Sequence, residues 1–206
     1  MKMLAKIVVI HDDLIPNADP LFVQLYESFG EENVIHFIHS NEGLNYVLNN
    51  LNQKTIVILD INFSSDELTG IQVLEKIRSK TSLIYVIMIT ARTLRELDND
   101  YLISMVNNDA LAVENADNYP KIVALVESAS HKLDARVDAV LEDWITKQSE
   151  EKRAKPYLKT KDGKTYTLDN ILESIRQQTE IGKQMERNIL KLAVDLLSRQ
   201  KTKLDD

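Results

Sequence analysis

The chain has 206 residues and a formal net charge of −7, with 44% hydrophobic and 28% charged residues. These values are ordinary for a globular protein with one α/β domain and a smaller appendage. Because the sequence contains no cysteine, a disulfide framework and a thiolate metal site are excluded. No apolar run is long enough to cross a bilayer and the start lacks the pattern of a secretory signal, so we expect a cytoplasmic protein without membrane contact.

Continuous apolar runs alternate with amphipathic stretches through the first part of the chain. Asp19-Pro20 and Ser40 have the residue types that begin helices, and we predict that they begin the first two. The alternation predicts a doubly wound, five-stranded parallel sheet with helices on both faces, an α/β fold of the flavodoxin-like class. The predicted strands, rich in β-branched residues and buried on both faces, are Lys6–His11, Asn33–His39, Thr55–Ile61, Leu83–Thr90 and Ala110–Val113.

The pattern changes after Pro120. Apolar residues recur every three or four positions from Ile122 to Trp144, and no glycine or proline interrupts the chain before about Arg153. This spacing predicts a fifth helix that extends beyond the sheet domain. The sequence therefore divides into a sheet domain (1–130), an extended helix or linker (131–155) and a C-terminal region (156–206).

The C-terminal region begins with a hairpin signal. Strand-forming residues in Tyr157–Thr167 flank Asp162-Gly163, which predicts two antiparallel strands. A helical region follows from Leu168 to about Lys201, and Gly182 either divides it into two helices or allows close packing.

Acidic and hydroxyl side chains follow the predicted strands. Asp12 and Asp13 come after the first strand, Asp60 ends the third, and Thr90 ends the fourth. The carboxyl ends of parallel strands meet at one edge, where such sheets bind their ligands. Three carboxylates there would repel one another unless a divalent cation lay between them, and a hard cation with few protein ligands fits Mg²⁺. The backbone carbonyl of Asn62 is a further candidate ligand.

This arrangement resembles the receiver-domain signature of two-component response regulators. The acidic pair Asp12-Asp13, the single Asp60 and the pair Thr90-Ala91 follow the corresponding strands in the order of that family. The resemblance implies that Asp60 is the phosphoacceptor and that Asp12 and Asp13 hold Mg²⁺. It further implies that Thr90 donates its hydroxyl to a phosphoryl oxygen and that Ala91 leaves room for the group.

Two positions depart from the family pattern. Receivers usually carry a lysine, often followed by proline, at the end of the fifth strand, where this chain has Glu114 and Asn115. Leu111 occupies the place of the usual tyrosine or phenylalanine. We expect Asp60 to be phosphorylated without the usual threonine–aromatic coupling; the competing interpretation is a pseudo-receiver adaptor that is regulated by binding alone.

The resemblance covers about residues 4–130 and implies a signalling module rather than an enzyme. Its partners would be a sensor histidine kinase or a phosphotransfer protein. The C-terminal region is too small to bury much core alone, which predicts a homodimer that presents a surface to an output protein. His11, beside the acidic pair, is interpreted as a partly buried residue at a strand end.

Two other functions are weaker. A transcription regulator would contact DNA through Lys159, Lys161 and Lys164, but the acidic body makes nucleic acid an unfavourable partner. A Mg²⁺-dependent phosphohydrolase would need an acid or base beside Asp60, and the sequence does not identify one.

Overall fold

The computed structural model describes residues 5–51, 54–160 and 163–201. The described residues up to Ala135 form one compact unit, and those from Arg136 onward form a second. Lys161 and Asp162, which belong to the predicted hairpin, lie outside the described residues. Among the described helices, none combines the length and the apolar character that crossing a membrane requires.

The first unit is built on a five-stranded parallel sheet with the order β2-β1-β3-β4-β5. This order confirms the predicted doubly wound topology. Every residue of the central strand β3 is buried, as its apolar sequence predicts. The strands are β1 (Lys6–Ile10), β2 (Val34–Phe37), β3 (Thr55–Asp60), β4 (Tyr85–Thr90) and β5 (Ala112–Asn115).

Five helices cover the two faces of this sheet. They are α1 (Pro20–Phe29), α2 (Ser40–Asn49), α3 (Gly70–Arg78), α4 (Asn99–Asn107) and α5 (Tyr119–Ala135). Apolar residues of α1 and α5 pack on one face, and those of α2, α3 and α4 pack on the other. Two apolar layers therefore hold the strands, and only the strand ends remain for polar chemistry.

The helix starts are partly as predicted. Asp19 caps α1, since its Oδ1 accepts a hydrogen bond from the backbone N–H of Leu21 at 3.0 Å. Ser40 does not cap α2; it is the first helical residue, and His39 precedes it. The Ser40 prediction is wrong because the acceptor comes from elsewhere in the chain: the carboxylate of Glu67 accepts the Ser40 backbone N–H.

The fourth helix starts later than the sequence indicates. The sequence predicts a fourth helix from about Thr93 to Val106, but Thr93 instead precedes a short 3₁₀ turn, Leu94–Glu96. Asp98 caps the α-helix, accepting the backbone N–H of Asp100 at 2.9 Å. The aspartate is the better N-cap, so the helix begins after it.

The second unit contains four helices and a hairpin within the described residues. They are α6 (Val137–Thr146), α7 (Glu150–Ala154), β6 (Pro156–Lys159), β7 (Thr165–Thr167), α8 (Leu168–Arg176) and α9 (Glu180–Lys201). The strands β6 and β7 are antiparallel, which confirms the predicted hairpin. The terminal helical region is divided at 177–179, and Gly182 lies inside α9. A Cβ at Gly182 would overlap the carbonyl oxygen of Ser174, so this glycine permits close packing of α9 on α8.

The prediction of a continuous fifth helix to about Arg153 is wrong, because the chain becomes extended at Arg136 (φ −81°, ψ 128°). The Arg136 guanidinium donates to the Asp138 carboxylate, with Nε 2.8 Å from Oδ1. The same oxygen accepts the backbone N–H of Ala139 at 2.8 Å. These side-chain hydrogen bonds lie in the first turn of α6, and the helix break at Arg136 occurs without a glycine or proline in the sequence.

Gly70 is the position at which α3 meets β3 most closely. Its N–H donates to the Ile61 carbonyl at 3.0 Å, and an added Cβ would overlap the carbonyl oxygen of Asp60. No side chain larger than hydrogen fits there without moving the end of β3.

We predict that Gly70→Ala lowers the free energy of unfolding by about 1–3 kcal/mol, because the methyl group must displace the backbone at Asp60. Urea denaturation measures the change. Lys80→Ala, an exposed substitution just after α3, should stay within about 0.5 kcal/mol of the parent. A Gly70→Ala protein as stable as the parent would contradict the close contact.

Candidate functional site

The candidate site lies where β1, β3 and β4 end. Register places Ile10 beside Leu59 and Asp60 beside Ile89, so the three strands end at nearly the same level. Asp60 is the last residue of β3 and Thr90 is the last residue of β4. The fold therefore brings the side chains that follow these strands to one edge of the sheet.

Asp60 is a buried carboxylate, with only 7% of its surface exposed. Its Oδ1 accepts the backbone N–H of Ile61 at 2.8 Å, and the backbone N–H of Asn62 also hydrogen-bonds the side chain. Burial is the main cause that raises the pKa of Asp60 to about 7; the charges of Asp12 and Asp13 add to it, and the two backbone hydrogen bonds oppose it. The buried position therefore disfavours the charged form of Asp60 unless a further partner stabilises it.

Three potential ligand side chains meet at this edge: His11, Asp12 and Asp60. One ligand atom from each lies within 4.8 Å of the others. The His11 ring lies between the two carboxylates, with Nδ1 3.7 Å from Asp12 Oδ1 and Nε2 3.9 Å from Asp60 Oδ2. The Asp13 carboxylate is not part of this set, although its charge reaches Asp60.

His11 is the residue whose place in the site the sequence did not reveal. Three hydrogen bonds hold it: its N–H donates to the Phe37 carbonyl at 3.0 Å, its carbonyl lies 2.8 Å from His36 Nε2, and its Nδ1 accepts the Asp13 N–H at 3.1 Å. Burial lowers the pKa of His11, while Asp12 and Asp13 act in the opposite direction. Its position directly before the acidic pair was the one available signal.

Thr90 is fully buried at the end of β4. Its Oγ1 accepts the backbone N–H of Arg92 at 3.1 Å, and its carbonyl accepts the N–H of Ala116 at 2.9 Å. Ala91 is exposed beside it. Within the described residues the Thr90 hydroxyl hydrogen has no recorded acceptor, so it can donate to a ligand at this edge.

Glu114 lies two strands away from Asp60. The register runs from Asp60 to Ile89 to Glu114, which places the Cα atoms of the two acids roughly 10 Å apart. The Glu114 carboxylate accepts the backbone N–H of Asn115 at 3.0 Å and the side-chain amide of Asn118 at 3.2 Å. These local bonds satisfy Glu114 within the turn that leads into α5.

Leu111 directly precedes β5, which extends to Asn115 rather than ending at Val113 as predicted. Its N–H donates to the Val86 carbonyl at 2.8 Å, and its side chain is partly buried against the core shared by α1 and α5. This position is occupied by an aliphatic packing residue and not by an aromatic ring.

The loop after β3 is attached to the loop after β2. The Glu67 carboxylate lies 2.7 Å from His39 Nδ1 and also accepts the Ser40 N–H. The hydrogen bond between the two side chains raises the pKa of His39 and lowers that of Glu67. This contact holds the segment that leads from Asp60 to α3.

Comparison with known proteins gives matches by structure only. No sequence-family model matches the chain, and no curated protein matches it in sequence. A solved N-terminal domain of an uncharacterized protein from Wolinella succinogenes superposes with a TM-score of 0.52 and 20% identity, covering 65% of this chain and 99% of that chain.

Two solved structures of NtrX from Brucella abortus are also similar. Its receiver domain matches with a TM-score of 0.50 and 16% identity, over 61% of this chain and 98% of that domain. A longer NtrX structure, in complex with ATP, matches with a TM-score of 0.52 and 15% identity, over 84% of this chain and 34% of that chain. At these identities the likeness shows the fold: the first unit of this chain has the fold of a response-regulator receiver domain.

Proposed function

We propose that the chain is a response regulator that accepts a phosphoryl group on Asp60 from a sensor histidine kinase or a phosphotransfer protein. The observation that carries the proposal is the Asp60 carboxylate itself, buried at a strand end with Asp12 beside it. A receiver fold with this acidic edge supports a signalling role over turnover of a metabolite.

The geometry suits nucleophilic attack by one oxygen of Asp60. Oδ1 is occupied by the Ile61 N–H, while Oδ2 faces His11 across 3.9 Å. In the transfer, Oδ2 forms a bond to phosphorus and the bond from phosphorus to the donor nitrogen breaks, so that the donor histidine leaves. The fully buried Thr90 offers its hydroxyl to an oxygen of the transferred group.

The donor set fits a hard divalent cation. The carboxylates of Asp12 and Asp60 offer the oxygen ligands that Mg²⁺ prefers, and a cation would stabilise the charged form of the buried Asp60. Asp12, Asp60 and the backbone carbonyl of Asn62 would hold Mg²⁺, joined by the Asp13 carboxylate, which lies outside the cluster of Asp12 and Asp60. When bound, Mg²⁺ neutralises charge on a transferring phosphoryl group.

Phosphorylation is testable with a small acyl phosphate. Incubation with Mg²⁺ and acetyl phosphate is expected to add the mass of one phosphoryl group, which intact-protein mass spectrometry detects. Asp60→Asn should abolish the adduct because it removes the nucleophile, and the exposed control Asp100→Asn should retain it. No adduct on the parent protein would favour the phosphorylation-independent adaptor.

We also predict a pH-dependent effect of Asp60→Asn on stability. The folded-state pKa of about 7 lies above the ordinary 3.8, so the folded protein retains a proton that the unfolded chain releases. Asp60 therefore makes the parent lose stability as the pH rises from about 4 through about 7, whereas the asparagine variant has no such loss. In chelator, Asp60→Asn should become more stable than the parent by a few kcal/mol, on the order of 2–4, near pH 8.

Urea denaturation of both proteins from pH 5 to pH 8 measures this difference. Added Mg²⁺ should reduce it at pH 8 by stabilising the parent alone. A difference that is independent of pH would mean that Asp60 titrates near its ordinary value and that the carboxylate is not held in a dry site.

The second unit carries an exposed apolar surface on α9. Large side chains at five positions between residues 190 and 197 are exposed, Leu197 to 65%. We call this set the α9 apolar segment; it comprises Leu190, Leu192, Val194, Leu196 and Leu197. Leu190, Val194 and Leu197 recur at helical spacing and share one face of the helix.

We infer that the α9 apolar segment pairs with the same segment of a second copy. A twofold pairing needs a surface that complements itself, and a helix stripe meets that condition when two helices lie antiparallel. This interface would join two copies through the second unit. The dimer would then present the surface that an output protein recognises.

Replacing Val194 and Leu197 together with glutamate should convert a dimer into a monomer, because the charges would be buried in the interface. Sedimentation equilibrium measures the mass. Gln184→Glu, on the exposed first half of the same helix, is the control and should leave the dimer intact. A parent protein that is monomeric at tens of micromolar concentration would contradict the pairing.

A further inference from the structure

The His11 ring is buried in the candidate site with one nitrogen bonded and one directed at Asp60. The residue is 7% exposed, and its main chain is held on both sides, by the Phe37 carbonyl and by His36 Nε2. Within the described residues no hydrogen bond to His11 Nε2 is recorded, and this nitrogen lies 3.9 Å from Asp60 Oδ2. This nitrogen is accessible at the site rather than sealed in the core, so it can bond a ligand that enters there.

The backbone decides which ring nitrogen carries the proton. The Asp13 N–H donates to His11 Nδ1 at 3.1 Å, so Nδ1 must present its lone pair. A neutral imidazole has one N–H, which is therefore on Nε2. The nitrogen that faces Asp60 is consequently a donor.

The same hydrogen bond argues against His11 as a metal ligand through Nε2. Ligation would need a lone pair on Nε2 and would move the proton to Nδ1, where it would face the Asp13 N–H. Two donors would then point at each other in a buried place. The arrangement favours an acceptor oxygen at Nε2 and disfavours a cation there.

A group on Asp60 would supply that acceptor. The distance of 3.9 Å from Nε2 to Oδ2 is too long for a hydrogen bond, but it leaves room for an oxygen that belongs to a substituent on the carboxylate. Glu114 lies two strands away, where receivers usually carry a lysine. Its carboxylate can only accept hydrogen bonds, and it accepts them from Asn115 and Asn118. Among the described side chains at the ends of β1, β3 and β4, His11 Nε2 and the Thr90 hydroxyl are two donors that a phosphoryl group at this edge could use.

We propose that His11 donates a hydrogen bond from Nε2 to a phosphoryl oxygen on Asp60 and thereby positions and stabilises the phosphorylated form. The proposal rests on the proposed function of Asp60. His11 is a positioning residue: it forms no covalent bond to the group and requires no change in its own protonation. A receiver-like site without a lysine would in this way obtain its donor from the end of β1.

Beryllofluoride, a phosphoryl mimic that bonds to a carboxylate, tests the proposal without phosphoryl transfer. The full-length protein is titrated in Mg²⁺ and the adduct is followed by ¹⁹F NMR. His11→Leu should bind about tenfold to a hundredfold more weakly than the parent, since a hydrogen bond to a charged group is lost. His11→Gln, whose amide can place an N–H near the Nε2 position, should recover most of the affinity, whereas His11→Asn should not.

The controls separate this proposal from the function on which it rests. His131→Leu, at an exposed histidine of α5, should bind like the parent, and Asp60→Asn should give no adduct. No adduct on the parent would overturn the phosphoacceptor function and this proposal with it. An adduct that is equally tight in the parent, His11→Leu and His11→Asn would overturn the role of His11 alone.

A second measurement uses the unmodified protein and does not depend on how well the variants fold. The ¹⁵N chemical shifts of the His11 ring report which nitrogen carries the proton. We expect the Nε2–H form; an Nδ1–H form would remove the donor and refute the proposal.

Discussion

The burial of the Asp60 carboxylate is the constraint on which the rest of the site depends. A charged carboxylate with 7% of its surface exposed is costly, and its raised pKa of about 7 expresses that cost. The protein offsets part of it with backbone N–H groups from Ile61 and Asn62. A bound cation or a covalent modification of Asp60 would offset the rest of this cost. The burial of Asp60 therefore makes this edge of the sheet suited to binding or modification.

Contacts between neighbouring segments position the residues around Asp60 at the strand ends. Gly70 lets α3 approach the Asp60 carbonyl, and Glu67 attaches the loop between them to the start of α2. On the other side, β2 holds His11 through its main chain. Hydrogen bonds and close packing therefore hold Asp60 and His11 in place, although these residues follow separate strands.

The departures from the receiver pattern have local explanations. The Glu114 carboxylate is bonded within the turn before α5, so it does not need a cation from the pocket. Leu111 contributes to packing against the core shared by α1 and α5. If His11 supplies the proposed donor, a phosphoryl group on Asp60 would have a hydrogen-bond partner although Glu114 and Leu111 stand where receivers usually carry a lysine and an aromatic residue.

Much of the fold could be predicted from the sequence, because its signals are local. The buried run of β3 and the Asp19 cap of α1 are consequences of residue type and spacing, and the chain order of Asp12, Asp60 and Thr90 already indicated a shared edge. Other features depend on partners that are distant in the chain or on a side chain's direction. The Glu67 carboxylate, and not the Ser40 side chain, accepts a backbone N–H at the start of α2. Arg136, whose guanidinium pairs with Asp138, lies at the break between α5 and α6.

The sequence by itself thus determined the parallel sheet and the acidic edge. Only the tertiary structure decided that His11 enters the site and that Glu114 is bonded outside it. The physical reason is that a hydrogen bond depends on the direction of one atom, which three-dimensional neighbours set: the Asp13 N–H orients the His11 ring, and Asn118 holds the Glu114 carboxylate. Hydrophobic periodicity carries no information about either.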